Sequence, residues 1–380
     1  MSAGYDAVVV GAGVLGLAHA YHLARRGLRV AVVERHPAAR GASVRNFGML
    51  WPVGQPAGER YELARRSLDV WRDVLPDAGL WHDPCGSLHV ARHADEEQVL
   101  REFAAVGDRP CEVLNAAEVV RRFPAVRTDG LRAGLFSSTE TCVDPRQVIA
   151  ELPAYLARRH GVAFHFGTTV LGYEAGRVAT TGGSVAANRL VICTGEDFRD
   201  LAPQAFAESG LVRCKLQMMR SAPRRERLGT MLAGGLTLRH YGGFAACPTL
   251  PAVAARFDAE LPEYGRHGIH VMASQNEAGE VVIGDSHHYG DAVSPFDDPR
   301  VDDLILDYLR GFLNLPGLTI AARWHGVYAK HPTAAWVAAR PAPGVLAVTG
   351  VGGAGMTLSF GLAERTVTEF LGDSGMTNDE

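Results

Sequence analysis

This 380-residue chain has no Cys-x-x-Cys pair and no His-x-x-x-His on a helical stretch. Neither a zinc-finger nor a helical metalloenzyme motif is therefore present. Its six cysteines (Cys85, Cys111, Cys142, Cys193, Cys214, Cys247) are scattered. In a large chain without a secretory leader they read as free thiols. His287 and His288 are adjacent and on a strand point to opposite faces. No metal is expected. No window approaches 18 uncharged apolar residues, which excludes a membrane-spanning helix. The amino terminus enters a strand pattern within a few residues, leaving no room for a leader, so a cytoplasmic protein is expected. A net charge of −4 and a pI near 6.4 leave no overall basic field for nucleic acid. Internal repeats and low-complexity segments are absent.

What is present is an ordinary globular composition, 47% hydrophobic and 21% charged, with chain enough for two or three domains. The most informative stretch is the first. Ala7 to Val10 is an uninterrupted apolar run that breaks into Gly11-Ala12-Gly13-Val14-Leu15-Gly16. A helical pattern follows from His19 to Arg26, then a second strand from Arg29 to Val33 that ends in Glu34. This is a βαβ dinucleotide-binding opening. Gly11 permits the tight turn, Gly13 lets backbone approach a pyrophosphate, and Gly16 brings helix against strand. The helix N-terminus offers N–H groups and a positive dipole end to the phosphates. Glu34 stands where a carboxylate accepts both hydroxyls of an adenosine ribose and repels a 2′-phosphate, which argues against NADP.

Further on, a glycine-rich stretch from Gly41 to Pro52 reads as an ordered functional loop. Helices are expected at 59–75, 94–106, 116–122, from Asp144-Pro145 to Ala157, and at 302–312. Strands are expected at 86–91, 162–166 and 189–193, the last ending in Cys193-Thr194-Gly195-Glu196. Residues 211–290 read as short strands and turns of a mostly antiparallel sheet. The strand Val345–Thr349 runs into Gly350-Val351-Gly352-Gly353-Ala354-Gly355-Met356-Thr357 and a helix from Ser359 to Leu371, a second anion and carbonyl site.

Four motifs together make the chain resemble the FAD-dependent D-amino-acid oxidase, glycine oxidase and sarcosine oxidase superfamily over nearly its whole length. They are the opening unit with Glu34-Arg35, the loop Gly48-Met49-Leu50-x-Pro52, the strand end Cys193-Thr194-Gly195, and the closing Gly-Met356-Thr357 turn. NAD enzymes generally lack the last, so the resemblance implies FAD. It also implies an α/β fold, a Rossmann-type domain with a second α+β substrate domain on a mostly antiparallel sheet. The FAD domain would be discontinuous, from residues 1–85, 140–212 and 325–372; the substrate domain would take 86–139 and 213–324, with 373–380 a disordered tail.

Carried over position by position, Gly11, Gly13 and Gly16 face the pyrophosphate, Glu34 the ribose, and Arg35 and Val170 the adenine. Ser43, Arg45, Asn46 and Gly48 belong to the loop leading to the flavin, with Met49 beside its ring. Thr194, Gly195 and Gly353 belong to the close-approach turns. Gly355, Met356 and Thr357 bring N–H groups to the flavin N1/C2=O edge.

Two departures matter. Amino-acid oxidases of this type carry an arginine for the substrate carboxylate where this chain has Tyr328. Lys330, His331, Arg239, His240, Tyr241, His287 and His288 are left as candidates for an anion of another shape, each with solvated surface charge as the competing reading. Arg323-Trp324-His325 offers no cysteine where monomeric sarcosine oxidases attach flavin, so non-covalent FAD is expected.

The resemblance implies hydride transfer from the carbon next to nitrogen to flavin N5, imine hydrolysis, and reoxidation by O2 to H2O2. Gly-Ala-Ser-x-Arg-Asn-x-Gly-Met with Trp51-Pro52 and Gln55-Pro56 is similar to a branch associated with aminophosphonates, so the expected substrate is 2-aminoethylphosphonate or an N-methyl form. The alternatives are a glycine, sarcosine or D-amino-acid oxidase, a quinone-linked dehydrogenase, and a non-catalytic flavin-binding subunit.

Overall fold

The computed structural model describes residues 4–207 and 209–372. The disordered tail expected at 373–380 lies outside the described residues. One sheet has six strands in the order Val337–Ala339, Val345–Thr349, Leu190–Ile192, Ala7–Val10, Val30–Glu34 and Ala163–Phe166. All neighbours are parallel except the first pair. The sequences AVVV, VAVVE and VLAVT are buried at every residue, because both faces of a parallel sheet are covered. Helices Val14–Arg25, Glu59–Asp77, Pro145–His160 and Gly355–Gly372 cover one face. The three-stranded sheet 170–186 covers the other with Val170 and Val178. Trp71, fully buried, donates Nε1–H to Met356 O at 3.0 Å and so ties the helix at 59–77 to the start of the last one.

A second, nine-stranded sheet is antiparallel apart from one pair, Met231–Ala233 with Ser87–Ala91. Its longest pairing joins Val212–Ser221 to Ile320–Lys330. Lys330 bridges on to Val351, which sets this sheet against the glycine-rich turn at 352–354.

Two expectations need correction. Residues 211–290 contain helices at Leu236–His240, Leu250–Glu260 and Pro262–Arg266 as well as strands. Val253 and Phe257, four apart, bury one face of the middle helix, a period overlooked behind the glycines around it. The first helix begins at Val14 and the last at Gly355, each immediately after its glycine turn. Neither starts a turn later, because the free N–H groups of each helix belong to the turn itself.

Candidate active site

A cavity of ≈ 680 Å³ runs from the carboxyl ends of the parallel strands to the second sheet. That size is ordinary for a small-molecule site. Gly11, Gly13, Glu34, Arg35, Val170, Thr194 and Gly195 line it, as do Ser43, Arg45 and Asn46. Gly353, Gly355, Met356, Tyr241, Tyr328, Lys330 and His331 complete the set that the structure brings together from distant parts of the chain.

The nucleotide end is built by close approach. Gly11 has φ +99°, and a Cβ there would lie 2.5 Å from Cys193 O. Gly16 does not line the cavity; a Cβ there would lie 1.9 Å from Gly11 O, so its role is helix-to-strand contact. Glu34 Oε2 accepts Ala12 N–H and Oε1 accepts His36 N–H, both at 3.0 Å. The carboxylate is thus locked at the strand end with lone pairs to spare. Arg35 is held by Asp197 and lies 3.9 Å from Asp200. Ser43 Oγ accepts Val14 N–H at 3.0 Å, which fastens the loop to the helix start. This bare backbone cradle, with a fixed acid beside it, fits FAD. Glu34→Ala is expected to lower retained flavin severalfold with little change in far-UV circular dichroism. Unchanged occupancy after gel filtration would remove Glu34 from the ribose site.

The loop beyond Ser43 is stabilised internally. Asn46 Nδ2 donates to Ala42 O and Ser43 O, while its Oδ1 accepts Gly48 N–H at 2.8 Å. Arg45 Nη1 donates to His325 O at 3.1 Å. Gly48, Met49 and Thr357 are set behind the cavity wall rather than on it. Thr357 Oγ1 accepts Trp51 N–H at 3.0 Å and donates to Met49 O at 3.3 Å, so these residues join loop to helix.

Arg239 requires correction as a site residue. Its Nη1 is 2.8 Å from Asp258 Oδ1 and its guanidinium lies over Phe257, away from this cavity. His331 lines the rim, but its Nδ1 already accepts Thr333 and Ala334 N–H. Tyr328 is buried against Gly353, and Lys330 Nζ donates to Tyr289 Oη at 3.2 Å. Burial pushes both the Tyr241 and Tyr328 phenols well above their ordinary pKa, so both stay protonated. Burial also pulls the Lys330 ammonium down.

Three residues went unsuspected in the sequence. Arg60, in the first turn of the helix at 59–77, lines the cavity half-buried, within electrostatic reach of Lys330. Among the described residues it makes no ion pair, and its Nε is buried without a partner. His270 and Asp285 line the cavity beside His240 and His287. No spacing motif links these positions, since each comes from a different segment. The one readable signal is Asp285-x-His287, two apart on extended chain and so on one face.

Over residues 6–368 the chain matches the family described as DAO, FAD dependent oxidoreductase. Monomeric sarcosine oxidase of Streptomyces avermitilis is 28% identical over 56% of this chain and 56% of that protein's own length. D-amino acid dehydrogenase 2 of Mesorhizobium japonicum is 26% identical over 50% of this chain and 61% of its own. Both matches span less than two thirds of the relative. Glycine oxidase of Pseudomonas aeruginosa is 28% identical over 67% and 79%. The crystal structure of glycine oxidase from Bacillus cereus superposes with a TM-score of 0.78 at 19% identity, covering 97% of this chain and 95% of that one, and shows the same fold. With the dinucleotide cradle, the closing glycine turn and a family match over nearly its whole length, this chain belongs to the DAO family of FAD-dependent oxidoreductases.

Proposed function

We propose that this chain oxidises a small amine bearing an anionic head group, with 2-aminoethylphosphonate or its N-methyl form as the favoured substrate. The observation that carries this reading is Arg60. An unpaired, half-buried guanidinium beside Lys330 costs desolvation energy that an anionic ligand repays. By the family resemblance Tyr328 stands where amino-acid oxidases carry their carboxylate-binding arginine, and in this reading Arg60 and Lys330 supply the positive charge instead.

When bound, FAD supplies the two-electron acceptor. The chain's own groups do the rest. Arg60 and Lys330 hold the head group, and the protonated Tyr241 and Tyr328 offer O–H donors. The buried Tyr328 ring forms part of the cavity wall. Oxygen is the proposed acceptor, giving peroxide; a dehydrogenase would pass electrons to a quinone without it.

The test is anaerobic bleaching of flavin absorbance by glycine, sarcosine, D-alanine, 2-aminoethylphosphonate and its N-methyl derivative. Rapid bleaching by the phosphonates alone supports the reading. Bleaching by sarcosine or D-alanine moves the substrate to amino acids, and none by any compound favours a non-catalytic subunit. Arg60→Met and Lys330→Ala are each expected to raise KM about 10- to 100-fold, the worth of one charge-assisted hydrogen bond. A KM unchanged in both variants removes these cations from the substrate.

A further inference from the structure

We propose that His240, His270 and His287, with Asp285, form a divalent transition-metal site in the cavity wall. The chain delivers them by topology. His240 closes the helix Leu236–His240, His270 precedes the strand Met272–Gln275, and Asp285 and His287 follow the strand Val281–Gly284. Backbone bonds between His270 and Asp285 (Asp285 N–H to His270 O at 2.9 Å, His270 N–H to Asp285 O at 3.2 Å) fix the two segments side by side. One ring nitrogen from each histidine lies within 4.8 Å of the other two.

Three further features point to an ion. His287 Nδ1 lies 3.0 Å from Gly268 O, so it is the protonated nitrogen and Nε2 keeps a free lone pair. A ring nitrogen donating to a backbone carbonyl while the other ligates is the usual support of a metal-bound histidine. Both ring nitrogens of His270 are buried without a hydrogen-bond partner, as is Asp285 Oδ1. His270 Nε2 and Asp285 Oδ1 are 3.0 Å apart but are not aligned for a hydrogen bond. The two ring nitrogens of His270 diverge, so one of them faces the cluster, and a buried polar atom left unpaired there is costly unless something occupies the space. Finally, Asp285 Oδ2 lies 3.9 Å from His287 Nε2, so a carboxylate stands beside the three imidazoles to offset a cation's charge.

Three imidazoles with a carboxylate beside them suit zinc, iron or cobalt rather than calcium or magnesium, and leave a coordination position open. The four side chains face the cavity that Lys330 and Arg60 also line. The proposal deepens the anionic-substrate reading and rests on it for one point: an oxygen of the head group would take the open coordination position.

The experiment uses the flavin-bearing protein, stripped with EDTA and reloaded with Zn2+ or Co2+. About one metal per chain by mass spectrometry is expected, with ligand-field absorption for cobalt and a rise in Tm. His270→Ala is expected to weaken the metal at least about 100-fold while flavin absorbance is retained. Should that variant fail to fold, His240→Asn carries the same expectation. Substoichiometric metal with no change in Tm overturns the site, and leaves the substrate reading standing if phosphonates still bleach the flavin. A change in the cobalt spectrum on adding methylphosphonate supports head-group ligation; metal binding without that change supports the site and overturns the ligation.

Discussion

Gly16→Val is expected to yield protein nearly devoid of flavin and destabilised by about 3 kcal/mol or more, beyond ordinary overpacking. The added Cβ would stand 1.9 Å from Gly11 O, a backbone atom that cannot rotate away. Helix Val14–Arg25 must then leave strand Ala7–Val10, and the turn at Gly11–Gly13 opens with it. The readout is the ratio of visible flavin absorbance to protein absorbance, together with urea unfolding. Gly172→Ala is the control, since a Cβ there meets nothing within 4 Å and its φ is not left-handed. Full flavin content in Gly16→Val would mean that the helix can move without cost to the cradle.

Acidification is expected to unfold the protein well before its surface carboxylates protonate. His19, His22 and His89 are buried as neutral rings, and burial pulls them from 6.5 to about 4, about 3 and about 3. His19 is further fixed by Leu15 O at 2.7 Å and Thr366 Oγ1 at 2.9 Å. A base with a depressed folded pKa costs nothing well above pH 6.5. Below that, the unfolded chain takes up protons that the folded chain refuses, so stability falls steadily toward the folded pKa. At pH 5 each ring costs about 2 kcal/mol, and three cost about 6, comparable with a typical total stability. Buried Glu140 and Asp285, whose carboxyls are raised by burial, work in the opposite direction, but His240, His270 and His287 are likewise pulled down by burial and add to the loss. Urea midpoints at pH 7.5, 6 and 5 test this. His19→Gln is expected to flatten the slope, and equal midpoints at all three would show that these rings are protonated in the fold.

Much of the fold was legible because local patterns and tertiary context agree. Val345–Thr349 and Ala94–Val106 form as their periodicity dictates. Pro145 sits in a first helical turn, with Asp144 capping Arg146 N–H at 3.0 Å. The helix Leu250–Glu260 was obscured because only Val253 and Phe257 are buried on it, a weak stripe among glycines and prolines. At the cavity, the close approaches of Gly11 and Gly16 and the position of Glu34 were readable because their geometry is fixed within one βαβ unit. Arg239 was misplaced because its neighbours His240 and Tyr241 do reach the cavity, while one step of helix turns Arg239 to Asp258.

The sequence by itself determined the dinucleotide cradle, the acid beside it and the family, since each is written in contiguous residues with an obligatory backbone geometry. Only the tertiary structure decided what else lines the cavity. Arg60 comes from one helix turn, Lys330 from a strand end, and His240, His270, Asp285 and His287 from three segments. Apart from the Asp285-x-His287 spacing, nothing local distinguishes these residues from solvated charge. They line one cavity because strand pairing between 212–221 and 281–290 and the surrounding segments bring distant parts of the chain together.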